Sequence, residues 1–98
     1  MKKVTTMDEV RREIDRLDRE IVALLAERQH YVESAGHIKP SRDLVRDNAR
    51  VEDVIAKVKA RAKETGASPD LVETVYRTMV EWFIAHEFEV FDEAREKR

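Results

Sequence analysis

Between Thr6 and about Ile38 an apolar residue recurs every three or four positions: Val10, Ile14, Leu17, Ile21, Leu24 or Leu25, Tyr31 or Val32, Ala35 and Ile38. That spacing predicts an amphipathic helix. Thr6 followed three residues later by Glu9 supplies a capping box for its start. Pro40 and the polar run Ser41-Arg42-Asp43 stop it, because the residue before a proline is pushed out of the α region. A second helix is expected to begin at Asp47 or Asn48, either of which can cap it. It carries Val51, Val54/Ile55, Val58 and Ala62 on one face, has a basic end at Lys57–Lys63, and closes at Gly66. Ser68-Pro69 then restarts helix, with serine as cap and proline at the first helical position. This third helix is expected to run beyond Phe91, with Leu71/Val72, Val75, Met79, Trp82/Phe83, His86 and Val90 inward. No strand pattern or repeat interrupts the series. The chain reads as all-α, with three helices in the order long–short–long.

Length sharpens this picture. A first helix of roughly 33 residues would be about 50 Å long, whereas a compact domain of this size has a radius of gyration near 12–13 Å. The helix must project from a single chain with its apolar stripe uncovered, and a second copy is the natural cover. The 98 residues suit one domain, 1–98, and a domain this small gains from association.

Composition excludes several functions. Net charge is −2 and the two signs are interspersed, unlike the clustered basic excess of nucleic-acid binders. The absence of Cys removes thiolate chemistry and cysteine zinc sites. His30, His37 and His86 form no metal motif, and Ser34, Ser41 and Ser68 lack an evident base. The start, MKKVTTMDEV, has no apolar core of a signal peptide, and no run approaches the ~20 apolar residues of a membrane span. A cytoplasmic protein is the expectation.

What stands out is the position of certain charges. Arg28 falls on the apolar line of the first helix, and Lys39, eleven residues on, is displaced by only about 20° on the helical wheel. Such cations either snorkel, pair with a carboxylate, or meet a ligand. Arg11, Arg46 and Arg50 are further cations near apolar faces, and Arg50 is placed to border the core just before Val51. Arg11 and Arg28 lie about 25 Å apart along one helix. For one small ligand to meet both, Arg11 must come from the partner of an antiparallel dimer. Converging arginine forks imply a polyanion such as a dicarboxylate. On the third helix Glu87 sits among Phe83, Ile84, Phe88, Val90 and Phe91, where a carboxyl group must be paired or protonated. Trp82 and Phe83 are most simply core.

Taken together, Arg11-x-x-Ile14-x-x-Leu17-Asp18-x-x-Ile21-x-x-Leu24-Leu25-x-x-Arg28, Gly36-x-x-Lys39, Asp47, Arg50 and Glu81-Trp82-Phe83-Ile84-Ala85-His86-Glu87 resemble the all-helical chorismate mutases, which include the isochorismate-pyruvate lyases. The resemblance covers residues 7–91. It implies an intertwined homodimer of three-helix chains with two equivalent sites, no cofactor, and rearrangement of chorismate to prephenate. It further implies that Arg28, with Arg11 from the partner, grips the two carboxylates, and that Lys39 donates to the ether oxygen. Asp47 and Arg50 would position the ring and its hydroxyl, with Val51 and Phe83 beside it. Glu87 stands where many members have Gln, and only a protonated carboxyl group donates as Gln does. The expectation is therefore that activity declines as rising pH removes that proton, and that Glu87→Gln removes the decline. Val51 in place of the usual Glu, a connection from Lys39 to Arg50 one residue shorter, and the run Trp82–Ala85 resemble the lyase branch, which forms salicylate and pyruvate from isochorismate. Because the two reactions ask the same of the pocket, the alternatives are lyase activity alone or both activities in one protein. The alternative of another class is a non-catalytic dimeric helical binding module.

Overall fold

The computed structural model describes residues 1–96; Lys97 and Arg98, the end of the expected domain, lie outside the described residues. Three α-helices follow one another, α1 (Met7–Ile38), α2 (Asn48–Thr65) and α3 (Pro69–Glu96), with a 3₁₀ turn at Arg42–Leu44 between the first two. The described residues form no strand, and none of their helices is long and apolar enough to cross a membrane. Packing divides the chain between Tyr31 and Val32.

In the part up to Tyr31, Thr6 caps α1 as the spacing predicts: its Oγ1 accepts from the Glu9 N–H at 3.2 Å. The reciprocal half of the box is shifted by one residue. The Glu9 carboxylate accepts from the Thr5 N–H and hydroxyl, both at 3.5 Å. Asp8 and Glu9 in the first turn complement the positive end of the helix dipole. Arg16 reaches Glu20 at 3.0 Å and Glu13 at 3.5 Å, the i,i+4 and i,i+3 pairs of a solvated face. The apolar stripe is exposed along its length: Ile14, Leu17, Ile21 at 52% and Leu24 at 63%.

From Val32 onward the chain builds a core. Val45 buries its side chain just before α2, and Ile55 and Ala62 of α2 meet Val80, Phe83, Ile84 and Phe91 of α3 in the buried set. Asp47 is the N-cap of α2, its Oδ1 accepting from the Arg50 N–H at 3.0 Å. At the other end Gly66 takes φ 84°, a left-handed conformation that costs glycine little, and the Ala67 N–H returns to the Ala62 carbonyl at 2.9 Å. Ser68 caps α3 through the Leu71 N–H at 3.3 Å.

The buried row of α3 agrees with the expected one at Phe83, of the pair Trp82/Phe83, and differs elsewhere. Leu71, Val75 and Trp82 are exposed, the last at 58%, whereas Val80, Phe83, Ile84, Glu87 and Phe91 are buried. Adjacent apolar pairs at 71/72 and 82/83 allow two neighbouring stripes on one helix, and periodicity alone does not choose between them. Packing selects the stripe that contains Val80 and Ile84. Met79, His86 and Val90 fall at its edge, half-buried.

Across α2 and α3 runs a network of charges. Arg77 donates to both Glu52 oxygens at 2.9 Å and to Glu73 at 2.8 Å, while Lys59 meets Glu73 at 2.9 Å. The hydrogen bonds from Arg77 hold Glu52 below its ordinary value, and those from Lys59 and then Arg77 do the same for Glu73. Carboxylates depressed in the folded state stabilise it above their unfolded value and lose that contribution as pH falls through the lowered one. The urea midpoint should therefore decline on acidification below about pH 4.5, the ordinary value of these groups, and decline less steeply in Glu73→Gln. Parallel pH profiles of the two proteins would contradict this.

Candidate active site

The end of α1 is brought unusually close to α3. Gly36 is buried, and a Cβ there would stand 3.0 Å from Val90 Cγ1 and 3.3 Å from the Glu87 carbonyl. A side chain at this position would require Val90 or the Glu87 carbonyl to give by a few tenths of an ångström, so glycine suits the close approach. Helix α1 closes at Ile38, one residue before Lys39, but the Lys39 N–H still bonds the Ala35 carbonyl at 3.0 Å and keeps the register of the last turn. Pro40 follows and prevents further helix.

From that position the Lys39 side chain turns to α3. Its Nζ donates to Glu87 Oε2 at 2.7 Å and to the Val45 carbonyl at 3.3 Å. Glu87 is 7% exposed, the one buried charged residue among those described, and pairing with an ammonium is what makes its burial tolerable. Of the two states open to a carboxyl group in this apolar company, the pairing is the one observed. An ammonium has three N–H donors, of which Glu87 and Val45 take two among the described residues; the third is available to an incoming acceptor. Phe83, one turn before Glu87, is buried and packs edge-on against Trp82 at 5.3 Å.

The other expected residues are distributed as follows. Asp47 spends one carboxylate oxygen on capping α2. Arg50 does not border the core: it is exposed, and its guanidinium turns to Asp53 at 2.9 Å, a carboxylate also met by Lys57 at 2.8 Å. Lys57 first, then Arg50, hold Asp53 below its ordinary value. Val51 is half-buried in the first turn of α2. Arg46 forks onto Glu81 at 3.1 and 2.6 Å, which raises Arg46 and lowers Glu81. Arg28 is half-buried and Arg11 exposed. Both lie before Val32, about 25 Å apart at 1.5 Å per residue.

Three groups had no signal in the periodicity. Val45 contributes only a carbonyl, which any residue carries. Glu33 lies 2.6 Å from His86 Nε2, and the His86 ring stacks on Trp82 at 5.1 Å. Arg95 binds the carbonyls of Gly36 and Lys39, at 2.8 and 2.5 Å. Each is a contact between residues more than five positions apart whose pairing a single sequence does not encode locally.

The fold and this group define an all-helical chain that holds a half-buried ammonium against a buried carboxylate. A profile of the family described as chorismate mutase type II matches residues 10–88 of it, and the chain belongs to that family. It is also 29% identical over 91 residues to the isochorismate pyruvate lyase of Pseudomonas aeruginosa, an alignment covering 93% of this chain and 90% of that protein.

Removing the ammonium tests the pair. Lys39→Met strands the Glu87 charge in an apolar setting and should cost about 2 kcal/mol of stability. The double variant Lys39→Met/Glu87→Met should recover most of it, read as the urea midpoint at neutral pH. A double variant no more stable than the single one would contradict the pairing.

Proposed function

We propose that this chain is a chorismate mutase, a cytoplasmic homodimer in which residues 1–98 act as one catalytic domain and rearrange chorismate to prephenate. The observation that carries this reading is the Lys39 ammonium held beside Glu87 in a chain of the type II family. In the reading, Arg28 and Arg11 of a second copy grip the substrate's two carboxylates, and Lys39 donates to the ether oxygen of the breaking C–O bond. Glu87 orients that ammonium, Asp47 and Arg50 meet the ring and its hydroxyl, and Val51 and Phe83 complete the wall. The dimer is supported by the 25 Å between Arg11 and Arg28 and by the exposed stripe Ile14, Leu17, Ile21 and Leu24.

The rearrangement needs no nucleophile, no proton transfer and no covalent intermediate. Its barrier falls when the reacting ends are held together and when charge developing on the ether oxygen meets a fixed cation. Arginine forks serve the first requirement, and an ammonium already oriented by a buried carboxylate serves the second.

A second reading, elimination of pyruvate from isochorismate to give salicylate, is favoured by two observations. The P. aeruginosa relative is a lyase by name, and this chain has Val51 where mutases carry Glu. The same cations serve it, because its transition state is also pericyclic and breaks the same kind of bond.

The two reactions separate when purified protein receives chorismate and isochorismate in turn. Prephenate from chorismate is the expected product; salicylate and pyruvate from isochorismate alone would establish the second reading. Arg28→Ala should lower kcat/KM by at least ~100-fold, about 3 kcal/mol of transition-state stabilisation, with its helical circular dichroism retained. Neither substrate being consumed would leave a dimeric binding module and overturn the proposal.

A further inference from the structure

A helix leaves its last carbonyls without partners in its own ladder. At the end of α1, two of these are taken by a side chain from the far end of α3. Arg95 Nη1 donates to the Gly36 carbonyl at 2.8 Å and Nη2 to the Lys39 carbonyl at 2.5 Å. The same guanidinium is itself fixed. Nη1 also bonds the Phe91 carbonyl at 3.3 Å, and the group lies 3.6 Å over the buried Phe91 ring. A cation at this position also suits the negative end of the α1 dipole.

The consequence falls on Lys39. Its N–H is held by Ala35, its carbonyl by Arg95, and Pro40 limits its backbone from the other side. The four-carbon side chain therefore starts from a fixed base, and its Nζ arrives between Glu87 and Val45. Gly36 carries the same logic: its lack of a side chain brings the α1 carbonyls within reach of Arg95. A lysine at 95 would keep the charge but lose the planar fork that spans two carbonyls.

We infer that Arg95 is a positioning residue, which fixes the backbone of Lys39 so that its ammonium meets the ether oxygen of the bound substrate. This rests on the reading of Lys39 as the group that touches that oxygen. Arg95 itself does not contact substrate. Its loss should fall on the transition state more than on binding, because the arginines that grip the carboxylates are untouched.

Two readouts on Arg95→Ala and Arg95→Lys test this, with thermal unfolding followed on each. In the first, Arg95→Ala lowers kcat about 10- to 100-fold with little change in KM, and Arg95→Lys recovers part of the loss. In the second, brief acetylation with acetic anhydride is read by mass spectrometry as the ratio of Lys39 to the exposed Lys57. The ratio should rise severalfold in Arg95→Ala, a change that loss of stability alone does not produce within the folded population. An unchanged kcat, or an unchanged ratio, overturns the inference. If the wild type consumes neither chorismate nor isochorismate, it is the proposed function that fails, and the acetylation ratio alone decides whether Arg95 positions Lys39. Should Arg95→Ala not fold, Arg95→Lys carries both readouts, with smaller changes expected in the same direction.

Discussion

A carboxylate removed from water must be met by charge or hydrogen bonds, and in this molecule that requirement falls on Glu87. Its solution brings three distant segments together. The end of α1 supplies the Lys39 ammonium, the turn before α2 supplies the Val45 carbonyl, and α3 supplies Glu87 itself. Gly36 allows the approach and Arg95 secures it. The surrounding contacts fit this arrangement. Arg42 bonds Asp92 at 3.1 Å with its guanidinium 4.6 Å over the Phe88 ring, and Arg46 grips Glu81, so the segment between Lys39 and α2 is tied to α3 at two points. These exposed pairs contribute little stability individually. Their value is geometric, since they limit where the residues after Lys39 can go.

A second constraint concerns reach. An arginine fork grips a carboxylate only at hydrogen-bond distance, and Arg11 and Arg28 are separated by several times the width of a small ring compound. A shared site therefore needs two chains, and the exposed apolar residues of α1 supply the surface on which a second copy would lie. A polyanion seated among cations from both chains would be gripped in one conformation, with the Lys39 ammonium next to the bond that breaks. Under the proposed function this would be catalysis by placement and charge, which needs neither cysteine nor an activated serine.

Much of the architecture was legible in the residues. Thr6, Asp47, Gly66, Ser68 and Pro69 mark helix ends through local chemistry, and each acts where it was expected. Local chemistry was also where detail slipped, as Glu9 turned to Thr5 rather than closing the box on Thr6. The buried face of α3 was less legible, because Leu71/Val72 and Trp82/Phe83 support two stripes equally well and only packing decides. Arg50 illustrates a further limit. Its position beside Val51 suggested the core, yet an acidic residue three positions on, Asp53, offered a nearer partner. Lys39 and Glu87 were assigned to one site through family resemblance rather than periodicity, and their direct pairing at 2.7 Å was not anticipated. Arg95 was missed because its partners are backbone carbonyls, which leave no mark in a sequence.

The central claim is that one site draws its arginines from two chains, and mixing inactive variants tests it most directly. Arg11→Ala and Arg28→Ala homodimers each lack one grip in both sites, whereas a mixed dimer has one intact site and one doubly deficient site. After the two variants are unfolded together and refolded in equal amounts, about a quarter of the wild-type turnover should return, from random pairing with one active site in each mixed dimer. A mixture no more active than its separate components would contradict the claim.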